Sequence, residues 1–122
     1  MMQDKDRHKK GDDIDNILAF VQSKMRVLSP EQVSRYAADL AIHMATMSEE
    51  MANAGNEYYL KWEALRLVYA DKTDGFVEKK SKATKQYYDK KRIEARFEAV
   101  KQVVQALKKR ATILSEESRG NH

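Results

Sequence analysis

An apolar phase runs unbroken from Val33 to Tyr69, and it constrains this chain more than any other feature. Val33, Tyr36, Leu40, Met44, Met47, Met51, Ala54, Tyr58, Trp62, Leu65 and Tyr69 succeed one another in steps of 3 or 4 that average 3.6. That is the period of an α-helix. The weak point is Asn53-Ala54-Gly55-Asn56, because Gly inside a helix costs about 1 kcal/mol against Ala. The stripe keeps its register across it, so the pattern predicts one helix with room for a kink. Leu28-Ser29-Pro30-Glu31-Gln32 supplies the start: Ser29 is a good N-cap, Pro30 suits the first helical position, and Gln32 can reach back as a capping-box partner. Asp71-Lys72-Thr73-Asp74-Gly75 supplies the stop.

A shorter stripe precedes it. Ile14, Ile17, Leu18, Val21 and Met25 share one helical face, with Asp12, Asp13 and Asp15 at the end where carboxylates suit the helix dipole. A third helix resumes at Phe76 and runs to about Glu117. Its distal part, Ile93, Phe97, Val100, Val104, Leu107, Ala111 and Leu114, alternates steps of 4 and 3, the a/d seam of a coiled coil. The expected fold is therefore all-α: helices over about 13–27, 30–70 and 76–117 in one domain, 13–118, between a flexible tail, 1–12, and a frayed one, 119–122. Each long helix would reach roughly 60 Å, against a radius of gyration of about 14 Å for a compact domain of this length. An elongated hairpin is expected, with the distal seam completed by other subunits. The competing arrangement is a three-helix bundle folded on itself.

With 122 residues the chain suits one domain. Four Gly and one Pro are too few for a sandwich or barrel, and the lack of Cys excludes disulfide scaffolds and Cys-ligated zinc. Residues 1–13 are polar, unlike a signal peptide. The longest fully apolar run, Ile17 to Val21, is far short of the ~20 residues that span a bilayer. A water-soluble, cytoplasmic protein is expected.

Catalytic chemistry finds no foothold. His8, His43 and His122 have no second ligand at metal spacing, and His43, beside the Met44 stripe, reads as a packed or half-exposed residue. Glu49-Glu50 and Glu116-Glu117 are adjacent pairs that point to different sides of a helix. No phosphate loop, nucleophile elbow or zinc-binding His motif occurs. The expectation is a non-enzyme without metal or cofactor, in which Met44, Met47 and Met51 serve as core.

Charge is more informative. The net +4 hides a balance of −3 over residues 1–57 and +7 over 58–122, and Lys79 to Arg92 holds seven bases against one acid, Asp89. Such a run favours a polyanion, or simply solvates a helix face. Aromatics interleave with bases from Tyr58 to Tyr69 and again from Lys85 to Arg92. That mixture grips single-stranded nucleic acid, with bases stacked on rings and cations on phosphates. A duplex reader would instead need a short recognition helix. Tyr58, Trp62, Tyr69 and Tyr87 fall on apolar stripes and are expected in the core; Tyr59 and Tyr88 are the better stacking candidates. The candidate phosphate contacts are Lys61, Arg66, Lys79, Lys80, Lys82, Lys85, Lys90, Lys91 and Arg92.

Leu65-Arg66-Leu67-Val68-Tyr69, Thr73-Asp74-Gly75-Phe76 and Ala106-Leu107-Lys108-Lys109-Arg110-Ala111-Thr112-Ile113-Leu114 together resemble the phage recombination mediator family, the UvsY family of T4-like phages, over approximately residues 30–119. The resemblance implies a small, all-helical, ring-forming homo-oligomer that assembles through its C-terminal helix. It also implies binding to single-stranded DNA, and loading of a RecA-like recombinase while single-strand binding protein is displaced. In the family's DNA-binding motif a Lys precedes the Arg by two residues. Arg66 matches that Arg, Ala64 stands at the Lys position, and Lys61, one turn from Ala64, is the candidate replacement. The alternative from another class is a helical scaffolding protein that works through coiled-coil contacts with protein partners.

Overall fold

The computed structural model describes residues 14–120. The predicted tail at 1–12, the last residues of the tail predicted at 119–122, and His8 and His122 with them, lie outside the described residues. Four helices follow one another: α1 over residues 14–24, closing in a 3-10 turn at Met25–Val27, then α2 (Pro30–Val68), α3 (Asp74–Lys82) and α4 (Lys85–Gly120). No strand occurs among the described residues, so the chain is all-α, as expected. The described residues form two compact units, one of residues 14–44 with 99–120 and one of Ala45–Glu98.

The first unit is closed by apolar burial. Val21 of α1, Leu28 of the connection, Val33 and Leu40 of α2, and Val100, Val103, Val104 and Leu107 of α4 are all buried. The start of α2 is fixed as the sequence predicts. Ser29 N–H donates to Gln32 Oε1 at 2.9 Å, and Gln32 N–H donates to Ser29 Oγ at 3.2 Å, a reciprocal capping box that satisfies two otherwise orphaned donors. Phe20 packs on Tyr36 with ring centroids 5.7 Å apart. Arg110 donates to the Arg26 carbonyl at 3.1 Å and ties α4 to the 3-10 turn.

This core takes up the middle of the distal seam. Val100, Val104 and Leu107 are 0%, 5% and 0% exposed within a single chain, so the middle of the stripe is filled intramolecularly and needs no other subunit to complete it. Ile93, Phe97, Ala111 and Leu114 are half-buried. The physical reason is the width of the apolar face. Val103, buried as well, turns the a/d pair into Val100, Val103, Val104 and Leu107, the i, i+3, i+4, i+7 stripe of a helix facing a globular core.

The second unit is built from the end of α2, all of α3 and the start of α4. Met47, Ala54 and Val77 are its buried apolar residues, and Ser81 is its buried polar one. Gly55 is helical with no interruption, so no break occurs at the weak point of α2. The break falls instead where a continuous helix over 76–117 is predicted, at Ala83–Thr84. Side-chain hydroxyls make it. Ser81 Oγ donates to the Glu78 carbonyl at 2.7 Å, Thr84 Oγ1 donates to the Ser81 carbonyl at 2.6 Å, and Thr84 Oγ1 also accepts from Tyr87 N–H at 3.3 Å. The backbone tightens to i→i−3 bonds, Ala83 N–H to Lys80 and Thr84 N–H to Ser81, both at 3.2 Å. Ser and Thr oxygens compete with the helical ladder in this way, and here Thr84 becomes the cap of a new helix.

Two stability outcomes follow from these cores. Leu107→Ala should cost about 2–5 kcal/mol, because the side chain is fully buried within its own chain. Ser81→Ala should cost about 1–3 kcal/mol by leaving the Tyr58 hydroxyl unpaired, and the double variant Ser81→Ala/Tyr58→Phe should cost less than Ser81→Ala alone. Urea unfolding read by circular dichroism checks both.

Candidate nucleic-acid interface

All ten candidate nucleic-acid contacts belong to the second unit. Its framework is aromatic. Tyr58 of α2 and Tyr87 of α4 lie 5.5 Å apart, and Tyr69 meets Phe76 of α3 edge-on at 5.1 Å. The Tyr58 hydroxyl is 2.8 Å from Ser81 Oγ. Because Ser81 already donates to a carbonyl, Tyr58 is the donor in that bond. Tyr58, Trp62, Tyr69 and Tyr87 are half-buried, whereas Tyr59 and Tyr88 are 58% and 67% exposed, the division that their positions on and off the apolar stripe predict.

The basic residues divide by what they touch. Arg66 is engaged at the turn that ends α2: its guanidinium donates to the Lys72 carbonyl at 2.8 Å and lies 3.5 Å from Asp74. At ~100° per residue, Lys61 and Arg66 stand about 140° apart around α2. Arg66, which matches the Arg of the family motif, and Lys61, the candidate replacement for its Lys, therefore do not share a face. Lys80 lies over the rings of Tyr69 and Phe76, Lys90 over Tyr58 and Lys91 over Tyr87, each within about 6 Å of the centroid. Lys82 pairs with Glu78 at 3.3 Å. This hydrogen-bonded carboxylate raises the ammonium above its ordinary value. Lys61, Lys79, Lys85 and Arg92 have no ion pair or ring contact among the described residues.

What the structure assembles is one exposed face of α4. Lys85, Tyr88, Lys91 and Arg92 are all exposed, and the three cations stand at i−3, i+3 and i+4 from the ring, where helical neighbours meet. Lys79 and Lys82 are exposed on α3, across the helix break. Among the described residues no cluster of three or more His, Cys, Asp or Glu could hold a metal ion.

Two carboxylates at the edges of the run escape a reading that counts only Lys79 to Arg92. Glu78 holds Lys82, while Glu94 holds both Lys90 at 2.7 Å and Lys91 at 3.4 Å. Three of the seven cations are thus paired internally. The i,i+3 and i,i+4 spacings that bring them together were visible in the sequence. A second overlooked feature is the outer side of α2, where Leu60, Leu67 and Val68 are 57%, 81% and 71% exposed.

No protein-family model, curated protein or solved structure matches this chain. No helix among the described residues is long and apolar enough to cross a membrane.

The hydrogen bond from Lys90, with the charges of Lys90 and Lys91 behind it, holds the Glu94 carboxyl below its ordinary value against the opposing effect of its partial burial. A depressed carboxylate contributes stability above its unfolded pKa, and that contribution is lost as pH falls through the folded value. A carboxyl-detected NMR titration should therefore place the Glu94 midpoint below the ordinary ~4.3, and Lys90→Met should move it upward.

Proposed function

We propose that this chain is an oligomeric single-stranded DNA-binding protein of the recombination-mediator kind, one that helps load a RecA-like recombinase in place of single-strand binding protein. The observation that carries the DNA-binding part is the face of α4, where Lys85, Lys91 and Arg92 surround an exposed Tyr88. A ring offers a base a stacking partner whatever its identity, and flanking cations meet the phosphates on either side. Lys79, Lys80 and Lys82 extend the positive surface, while Lys61 and Arg66 contribute from α2. The mediator role, the recombinase and the displaced binding protein rest on the resemblance alone. Several copies would pool these modest patches through high effective concentration. Their contacts would have to use surface other than the filled positions Val100, Val104 and Leu107. No catalytic step is required of the protein, nor any cofactor or metal.

A second reading has its own observation. The exposed apolar side of α2, with Leu67 at 81%, is the kind of surface that a protein partner covers. On that reading the chain is a helical scaffold, and its lysines only solvate it.

A mobility-shift titration with labelled oligo-dT at low salt separates the two. The wild-type chain should shift the oligonucleotide, with an apparent affinity that falls by a log–log slope of about −0.7 per phosphate neutralised. Lys82→Glu/Lys85→Glu/Arg92→Glu should abolish the shift while the mass by light scattering stays unchanged. A changed mass with the triple variant, or no wild-type shift at all, favours the scaffold.

A further inference from the structure

Glu94 is the one carboxylate in the basic region that grips two lysines at once. Its Oε1 lies 2.7 Å from Lys90 Nζ and its Oε2 lies 3.4 Å from Lys91 Nζ, one oxygen for each ammonium. Two anionic oxygens spread over two ammonium groups is also how a backbone phosphate would meet this pair.

Helix stability gives only weak support for the placement. Ion pairs along a helix favour the acid on the N-terminal side of the base. Glu78 and Lys82 follow that order, but Lys90 and Lys91 both precede Glu94. All three side chains retain solvent access, at 27%, 53% and 34% for Lys90, Lys91 and Glu94, so a ligand can reach the pair without unfolding anything. Ion pairs that keep this much solvent access are weak, so a phosphate can displace the carboxylate. The lysines are also held ready. Lys90 lies 5.6 Å from the Tyr58 centroid and Lys91 5.6 Å from the Tyr87 centroid, so the rings keep both ammonium groups near the surface when the carboxylate lets go.

We propose that Glu94 is a built-in competitor for the strand: its carboxylate occupies Lys90 and Lys91 in the free protein and is displaced by a backbone phosphate when single-stranded nucleic acid binds. The inference rests on the nucleic-acid reading and adds an attenuator to it. With Glu94 in place, each subunit holds back two of its phosphate contacts and binds a strand less tightly than its lysine content allows. A strand that is gripped below the maximum is released more readily, which suits a protein that must give up its ligand.

The test compares Glu94→Gln with Glu98→Gln in the full chain, using oligo-dT as the probe. Both variants change the net charge equally. Glu98 is exposed on the same helix and holds no lysine among the described residues. Glu94→Gln should tighten binding about tenfold at low salt and steepen the log–log salt slope by roughly 0.7 to 1.4, one or two further phosphate contacts. Glu98→Gln should change affinity less than about threefold and leave the slope as it is. Circular dichroism confirms that both keep their helix content. If the wild-type chain binds oligo-dT but Glu94→Gln binds no tighter, or if the two variants behave alike, the attenuator is refuted while the nucleic-acid reading stands. If neither the wild type nor Glu94→Gln binds, both fail.

Discussion

The buried hydroxyl of Ser81 sets the geometry on which the basic region depends. It sits at 0% exposure, accepts from Tyr58 of α2 and donates to the Glu78 carbonyl of its own helix. A polar group so enclosed is costly to leave unsatisfied, so its two partners are effectively compulsory. Together they hold α3 against α2 and place the end of α3 where Thr84 can cap the next helix. The basic run is thereby divided between two axes: Lys79, Lys80 and Lys82 on one, Lys85 to Arg92 on the other. The aromatic pairs Tyr58–Tyr87 and Tyr69–Phe76 fill the space around that joint, and the lysines drape over them.

The charge pattern then reflects competition within the chain. A count of seven bases against one acid overstates the free positive charge, because Glu78 and Glu94 lie just outside the window and reach back into it. Of the cations that remain, Lys85 and Arg92 stand beside an exposed ring, Lys79 stands on α3, and Lys80 is set on the ring faces. Arg66 belongs to a different category. It stabilises the turn through the Lys72 carbonyl and Asp74, which accounts for an Arg at that position whether or not a strand is bound.

Much of the fold was legible in the sequence because helical periodicity is a local signal. The 3.6 phase from Val33 to Tyr69 and the Ser29–Gln32 box located α2 at Pro30–Val68 without tertiary information. The exposure of Tyr59 and Tyr88 followed from the same phase. The joint at Ala83–Thr84 was not legible, since neither Gly nor Pro marks it. It comes from hydroxyl bonds, one of which reaches Ser81 from Tyr58, 23 residues away. An a/d pattern looks alike whether the facing helix belongs to the same chain or another, and in α4 its middle, Val100, Val104 and Leu107, is buried within the chain. Val103, one step off the seam, was the residue that marked a wider, globular face. In the candidate site the cations were all visible, but which of them stay unpaired depends on acids beyond the ends of the run.

The joint between α3 and α4 is written in oxygen atoms rather than in proline rings or missing β-carbons. No described residue there or elsewhere adopts a positive φ, and every side chain through the bend is compatible with ordinary helix. Nothing in the backbone itself forbids a straight rod from Asp74 onward. The direction in which the lysines radiate thus depends on the Ser81 and Thr84 hydroxyls, whose bonds to backbone groups stand at the bend where the helical ladder is interrupted.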